Sequence, residues 1–527
     1  ANMSEKTQQP KLFDRMDVVL AAVAGVLSLA LYVRTLAPWV LPGDSGEFQV
    51  LAYQLGVAHT TGYPVYLLLA RLFIFLVPVR DIAYRVNLFS AFMGALTVVG
   101  VLLSARSLTK SRWAALFGAL ALTVSFTLWS QSIIAEVYSA GAAFMAAVWV
   151  TLLVWYKTGN KWALFAAGLC GGLGLGVHGN LVVVAPAVLI FLLLNWKRWK
   201  ELWRPALSGA LAGVLLFGVV FLIVDLNAPP ANVFNVIYGP ARSAWGLSEA
   251  DVNNPFARMI FLQSGRQWSG RMFVNPARDV PGHLFEYGLN FPREFSLVSV
   301  GLMVLGLIIL FIRDWRLGVL FTTALLFHWI FYFNYRVGDI YVFYIPGYFL
   351  MAILAAVGVG GIAWLIEKIP WRRVELVLQP AVMLAIMVVA IMPVLSPYLN
   401  AVKIGKVPFM GVKGYPVDGN TETNYKLVSH TIRYLDQNVI LLANWDPLYE
   451  YWYAAHIEQG RKDLRFIEMN PFHEPPGLPK STVEFIRANI DAHPIYLWTS
   501  SPEVERAGFK LRPVYADFMR FYQVEKP

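Results

Sequence analysis

The chain has 527 residues, of which 57% are hydrophobic, 14% aromatic and only 14% charged, where an ordinary soluble domain carries about 25% charged residues. A soluble globule is excluded. The formal net charge is +10, yet residues 398–527 hold 15 basic and 15 acidic side chains, so the whole excess lies in the apolar part before them. There it reads as membrane topology, with no nucleic-acid partner. The one cysteine, Cys170, lies in an apolar run, which excludes disulfides and cysteine metal sites. Ala1-Asn2 ahead of Met3 reads as an added leader, and no cleavable signal pattern follows, so the first apolar segment is expected to remain as a span.

Apolar runs suited to spanning a bilayer fall near 16–36, 86–105, 113–131, 136–156, 161–177, 180–195, 206–226, 297–312, 317–333, 340–364 and 374–396, eleven in all. A twelfth run, 63–79, is decided by the positive-inside rule. With Lys11 and Arg15 inside, leaving 63–79 on the outer surface puts the loops carrying Arg106, Lys110 and Arg112, Lys157 and Lys161, Lys197 to Arg204, Arg313 and Arg316, and Lys368 to Arg373 on the cytoplasmic side. Letting it span puts all of them outside. It is therefore expected to lie along the interface, within a first external loop over 34–85.

The same parity places the turn Gln131 to Glu136, the turn His178-Gly179, a long loop over 227–296, the link Asn334 to Asp339 and the C-terminal segment outside. From about 425 onward, pieces such as "KLVSHTIRYLDQN", "VILLANWD", "PLYEYWYAAHIEQG" and "RKDLRFIEM" alternate helix-like and strand-like character. That predicts a small α/β unit with a partly parallel sheet. The expected architecture is an all-α polytopic membrane part over 1–397 with about eleven transmembrane helices, followed by an extracytoplasmic α/β domain over 398–527. Beyond Asn2-Met3-Ser4, which precedes the first apolar run on the side expected to be cytoplasmic, no Asn-x-Ser/Thr acceptor occurs in the sequence, which favours a bacterial plasma membrane over an endoplasmic reticulum.

Charges near an apolar slab are costly and often functional. Asp44, Glu47, Asp81, Glu136, Asp225 and Asp339 all fall on the outer face by this topology. The sharpest signal is "LPGDSGEFQVLAYQLGVAHTTGYPVY", in which Asp44 and Glu47 are three apart and can converge on one proton, cation or hydroxyl. The competing reading is that Asp44 caps a helix and Glu47 completes its capping box. His59 and Tyr63 follow at a Gly62 bend; for His59 alone an ordinary surface histidine is the plainer reading beside a binding role. Arg85 and Asn87 sit where a guanidinium could hold either a phosphate or lipid headgroups. Glu136 and Tyr138 close a helix pair, where the carboxylate could instead favour a helix dipole, and "GLGLGVHGN" brings His178 and Asn180 to the outer surface on a close-packed turn. The long loop carries Arg242, Arg258, Arg266, Arg271, Arg278 and Arg293 and no lysine. It is suited to a lipid-linked phosphate or to anionic lipid. Arg336 and Asp339 occupy the last outer turn, with a local salt bridge as the plainer reading.

Taken together, "GDSGEF", "HTTGYPVYLLLARLF", "RVNLFSAFMGAL", "WSQSIIAEVYSAGAAF", "GLGLGVHGN" and "NYRVGDIYVFYIPGYF" resemble a polytopic family that includes the O-mannosyltransferase acting on plexin-type receptor domains, within the GT-C superfamily of glycosyltransferases. The resemblance covers most of 16–365, and "VILLANWDPLYEYWYAAHIEQGRKDLRFI" is similar to the family's C-terminal extension. It implies a GT-C-like membrane core and inverting transfer of a sugar, mannose favoured, from a polyprenyl-phosphate donor. The acceptor is a protein, glycan or lipid hydroxyl, with protein Ser/Thr favoured. Asp44 then matches the acidic residue of the first loop, the general base; Glu47 assists it, or with it holds a divalent cation if one is used. The arginines of the long loop, Arg266 and Arg271 among them, supply the phosphate end. The chain departs from the family at Thr60-Thr61, where prolines are expected after the histidine. Two readings from other classes compete. A transporter or flippase of lipid-linked sugars would place ionisable groups near the midplane of repeated halves, and a non-catalytic envelope scaffold would depend on the C-terminal domain alone.

Overall fold

The computed structural model describes residues 12–200, 202–370, 372–471 and 477–526. Each of the eleven apolar runs forms helix, and the described residues contain seven helices long and apolar enough to cross a bilayer: Arg15–Arg34, Ile82–Leu108, Val137–Thr158, Trp203–Asn227, Leu297–Tyr332, Ile340–Ile366 and Leu376–Ile404. The protein is a membrane protein. The run near 113–131 is broken at Val124 and Ser125 into Arg112–Thr123 and Phe126–Ser132, bent by 65°. Leu297–Tyr332 contains the non-helical residue Asp314, where the two separate apolar runs meet. Lys161–Gly174 and Asn180–Leu194 are shorter, with 14 and 15 residues. The run 63–79 becomes Pro64–Leu76, whose 13 residues span about 20 Å at 1.5 Å per residue, well short of a hydrocarbon core of about 30 Å.

Close helix contacts are made where small residues recur. Gly168 and Gly172 lie against the backbone of Ala206 and Ala210, and Gly209 and Gly213 against that of Phe165 and Leu169, so any Cβ at these positions would strike a carbonyl. This is the spacing by which membrane helices approach without a hydrophobic driving force between them. Gly306 and Gly358 do the same for Leu297–Tyr332 and Ile345–Ile366. The latter helix is buried along most of its length and forms the centre of the bundle.

The C-terminal part builds one five-stranded sheet from β1 (Ile440–Ala443), β2 (Arg465–Glu468), β3 (Ile495–Leu497), β4 (Lys510–Ala516) and β5 (Met519–Glu525), in the order β2-β1-β3-β5-β4. β2 and β3 both run parallel to β1, with Ile440 opposite Arg465 and Ile495. β4 and β5 add an antiparallel hairpin. The partly parallel sheet expected from the alternation is therefore present. The closing hairpin was not anticipated, because its strands carry mixed polar and exposed residues that do not alternate cleanly. Helix Trp445–Trp452 leaves the end of β1 and packs on helix Gly43–Gln54 of the first loop, with Tyr449 donating a hydrogen bond to the Ala231 carbonyl at 3.2 Å.

Candidate active site between the first loop and the C-terminal sheet

The segment after the first span forms helix Gly43–Gln54. Its N-cap is Pro42, which offers no side-chain cap, so Asp44 and Glu47 are not a capping pair. Glu47 is fully buried one turn into the helix. The chain then returns through a tight turn in which Gly62 donates to the His59 carbonyl at 2.6 Å, with Gly62 at φ 85°, a backbone region open mainly to glycine. The turn lays His59 over Glu47. The His59 amide donates to Glu47 Oε1 at 2.9 Å, and Nδ1 meets Oε2 at 2.5 Å. On its other side, His59 Nε2 faces Asp44 Oδ2 at 3.6 Å. The two acids of the motif therefore flank one imidazole.

Burial opposes a charge on His59, but the carboxylates of Glu47 and Asp44 and the hydrogen bond to Glu47 outweigh it, and its pKa is pushed up to about 10. His59 is thus an imidazolium at neutral pH, held by a buried partner. Both oxygens of Glu47 are engaged by His59, so of the pair Asp44 alone faces open space, with Trp445 Nε1 donating to its Oδ1 at 3.0 Å. Among the described residues no group of three or more His, Cys, Asp or Glu side chains is arranged to hold a metal ion.

Asp44 and His59 line a cavity of about 1300 Å³ bounded by the first loop, the outer helix ends, the long loop and the C-terminal sheet. Tyr63, Glu136, Tyr138, His178, Asn180, Arg271 and Asp339 line it as well. Ser45 donates to Glu136 Oε1 at 3.2 Å, next to Asp44. Burial, reinforced by Asp44 and Asp339, pushes the Glu136 carboxyl well up, and burial and Asp44 push Asp339 to about 6. His178 accepts the Asn180 amide at Nδ1 (3.1 Å) and burial pushes its pKa down to about 3, so it stands as a neutral ring against Tyr138 and Tyr63. Asn180 Oδ1 in turn accepts the hydroxyl of Tyr332.

Arg271 is the one Arg or Lys side chain lining the cavity among the described residues. It lies over the Trp268 ring, 5.1 Å from its centroid. Its neighbours in sequence are occupied elsewhere: Arg258 pairs with buried Asp225, Arg242 with Glu484, and Arg336 with Asp279 at 2.6 Å. Arg266, Arg85 and Asn87 lie outside the lining. Arg85 donates to the carbonyls of Ile74, Val79 and Arg80 and so closes the end of helix Pro64–Leu76, while Asn87 joins Gln49 (3.0 Å) to the Ala37 carbonyl (2.7 Å). The lining also includes residues the motifs did not single out: Ser45, Tyr238, Tyr332, Tyr335, Trp445, Glu450, Glu468 and Trp498. A carboxylate inside the aromatic run "PLYEYWY" is the one signal that pointed at Glu450.

Residues 44–203 match the family described as the protein O-mannosyl-transferase TMEM260 N-terminal domain. The chain is 22% identical over 341 residues to protein O-mannosyl-transferase tmem260 of Dictyostelium discoideum, covering 62% of this chain and 41% of that protein. It is 35% identical over 191 residues to the TMEM260 protein of Mus musculus, covering 35% and 26%. The matched regions thus span less than half the length of these relatives. ArnT from Cupriavidus metallidurans, in a crystal structure bound to undecaprenyl phosphate, superposes with a TM-score of 0.55 at 14% identity over 97% of both chains. The motif resemblance is borne out over residues 44–203, and the whole chain shares its fold with ArnT from Cupriavidus metallidurans.

Proposed function

We propose that the protein is a lipid-phosphate-sugar-dependent glycosyltransferase working at the outer face of a membrane. The N-terminus is then cytoplasmic, residues 1–397 form the membrane part and 398–527 the outer domain, with a bacterial plasma membrane as the setting. The observation that carries this reading is a single cavity with an accessible carboxylate, Asp44, and a single cationic side chain of the long loop, Arg271, set in a GT-C fold. Its likeness to named O-mannosyl-transferases and to a structure holding undecaprenyl phosphate supports a polyprenyl-phosphate mannose donor and a protein Ser/Thr acceptor.

In this mechanism the acceptor hydroxyl gives its proton to Asp44 as its oxygen bonds the anomeric carbon. The bond from that carbon to the phosphate breaks, and the lipid phosphate departs beside Arg271. Burial pushes the Glu47 carboxyl up, and the His59 ring beside it opposes that shift. Glu47 and His59 are positioning residues that fix Asp44's side of the cavity. A carboxylate alone is a weak base for an alcohol, so most of the barrier reduction falls to orientation within the cavity. The test is release of labelled mannose from polyprenyl-phosphate mannose by the purified protein in lipid, native against Asp44→Asn. Turnover by the native protein that vanishes in the variant supports the reading; donor binding and turnover that persist in Asp44→Asn remove Asp44 from the chemistry.

A further inference from the structure

The cavity does not end at Asp44. It continues beneath the sheet, where the carboxyl ends of the three mutually parallel strands point the same way: β1 leads into Trp445, β2 ends at Glu468, and β3 leads into Trp498, and all three residues line the cavity. In open α/β sheets the carboxyl ends of parallel strands are where ligands bind. Glu450, on helix Trp445–Trp452, lines the same space.

Glu450 and Glu468 are each only 3% exposed, and Oε1 of each has no hydrogen-bond partner within the chain. The hydroxyl of fully buried Tyr451, also in the lining, is unpartnered too. Buried polar atoms left without partners cost stability, and three of them on residues that line one cavity call for an occupant that supplies hydrogen bonds. Among the described residues Arg271 is the one Arg or Lys side chain in the lining they share, and the charged groups acting on Glu468 are Glu47, His59 and Asp44. The aromatic members add ring faces: Trp498 lies 5.9 Å from Tyr451 at 74°, and Trp445 5.8 Å from His59 at 86°.

We propose that the carboxyl ends of β1, β2 and β3, with Glu450, Glu468, Tyr451, Trp445 and Trp498, form a subsite for a neutral, hydroxyl-rich sugar ring. Aromatic faces take the apolar face of such a ring, and carboxyl oxygens take its hydroxyls. Burial first, then nearby acids, pushes both glutamates up to about 8, so at neutral pH each carboxyl both donates and accepts, as hydroxyl partners require. The inference rests on the glycosyltransferase reading for its setting but is tested apart from it. The ring could come from the lipid-linked donor or from a glycan acceptor.

The experiment is saturation-transfer NMR with methyl α-D-mannopyranoside on the full chain in lipid nanodiscs, with sugar release from the lipid-linked donor measured on the same preparation. The expected result is clear transfer to the ring protons in the native protein, reduced at least five-fold in Glu468→Leu and in Trp498→Ala. Thermal stability of Glu468→Leu should be unchanged or higher, because an unpartnered buried carboxyl is replaced by an apolar side chain. Competition by polyprenyl-phosphate mannose but not by bare polyprenyl phosphate assigns the ring to the donor; no competition by either assigns it to an acceptor glycan, and both support the subsite. Signal absent in the native protein, unchanged in both variants, or stronger with ethanolamine than with the glycoside overturns it. If the native protein releases sugar but binds no glycoside, the subsite fails and the enzyme reading stands. If it releases none while the glycoside signal is lost in Glu468→Leu, the enzyme reading fails and the subsite stands.

Discussion

The helix Arg15–Arg34 has acids near both ends, and the protein treats them in opposite ways. At its start Asp17, 1% exposed, is bonded by Arg106 at 2.8 Å and Arg112 at 3.0 Å, and its neighbour Asp14 also pairs with Arg112. Beyond its far end Asp44, Glu136, Asp339, Glu450 and Glu468 share one cavity with the His59 imidazolium and one arginine. A folding requirement alone would match each buried acid with a cation or a donor, since a buried carboxyl oxygen left without a partner costs stability whether the group is charged or neutral. The imbalance at the far end is what a site awaiting hydroxyls and a phosphate looks like, whereas the balanced cluster at the near end needs nothing further.

The sharpest way to break that contrast is to remove Asp44. Asp44→Asn keeps the shape and the Trp445 contact but cannot take a proton, so sugar release should fall by about 10²- to 10⁴-fold, the range for general-base catalysis, with thermal stability unchanged. Retention of more than about a tenth of the activity would be incompatible with an essential base. Next comes the cationic pole. Arg271→Ala should raise the donor KM by about ten-fold or more while changing kcat less, because a phosphate contact made in both ground and transition states is lost. Arg271→Lys should recover part of it, since lysine keeps the charge and loses the bidentate fork. An unchanged donor KM would mean that another group holds the phosphate.

A smaller effect separates Glu47 from Asp44. His59 has its pKa raised, so the stability it confers is fully present below its ordinary value near 6.5 and is lost as pH rises through about 10. Activity and thermal stability should therefore hold through neutral pH and fall as pH passes about 10. In Glu47→Gln the first carboxylate supporting the imidazolium is gone, and that fall should move to lower pH. A limb that stays in place would show that Glu47 does not set the charge of His59.

How much of this was legible in the sequence follows from what each signal measures. Hydropathy registers burial in lipid, so all eleven runs became helices, and the run 63–79, set apart by the charge rule, forms a helix of only 13 residues. Local spacing registers neighbours along one helix, so Asp44 and Glu47 stood out together. What spacing does not carry is the return of the chain at Gly62, which puts His59 between them; the histidine, a candidate binding residue with an ordinary surface role as its competing reading, is the centre of the group. Nor does sequence tell one arginine from another. Arg258 and Arg336 found carboxylates, Arg85 found carbonyls, and Arg271 was left facing the cavity only because of three-dimensional neighbours. Glu468, at the end of β2, lies far along the chain from Asp44 and carries no motif of its own, and Glu450 is marked only by the aromatic run around it.

The balanced cluster supplies the control. Asp17→Ala leaves Arg106 with its bond to the Thr109 carbonyl at 3.0 Å but without its carboxylate, and leaves Arg112 with Asp14 alone. Breaking a buried pair costs about 3–5 kcal/mol, and here the lower end applies because Arg112 is 41% exposed and rehydrates. The expected outcome is a lower melting temperature with kcat and donor KM of the folded fraction unchanged. A kinetic change without loss of stability would mean that the acids at both ends serve the reaction, and the distinction between balanced and unbalanced clusters would fail as a guide to where the chemistry lies.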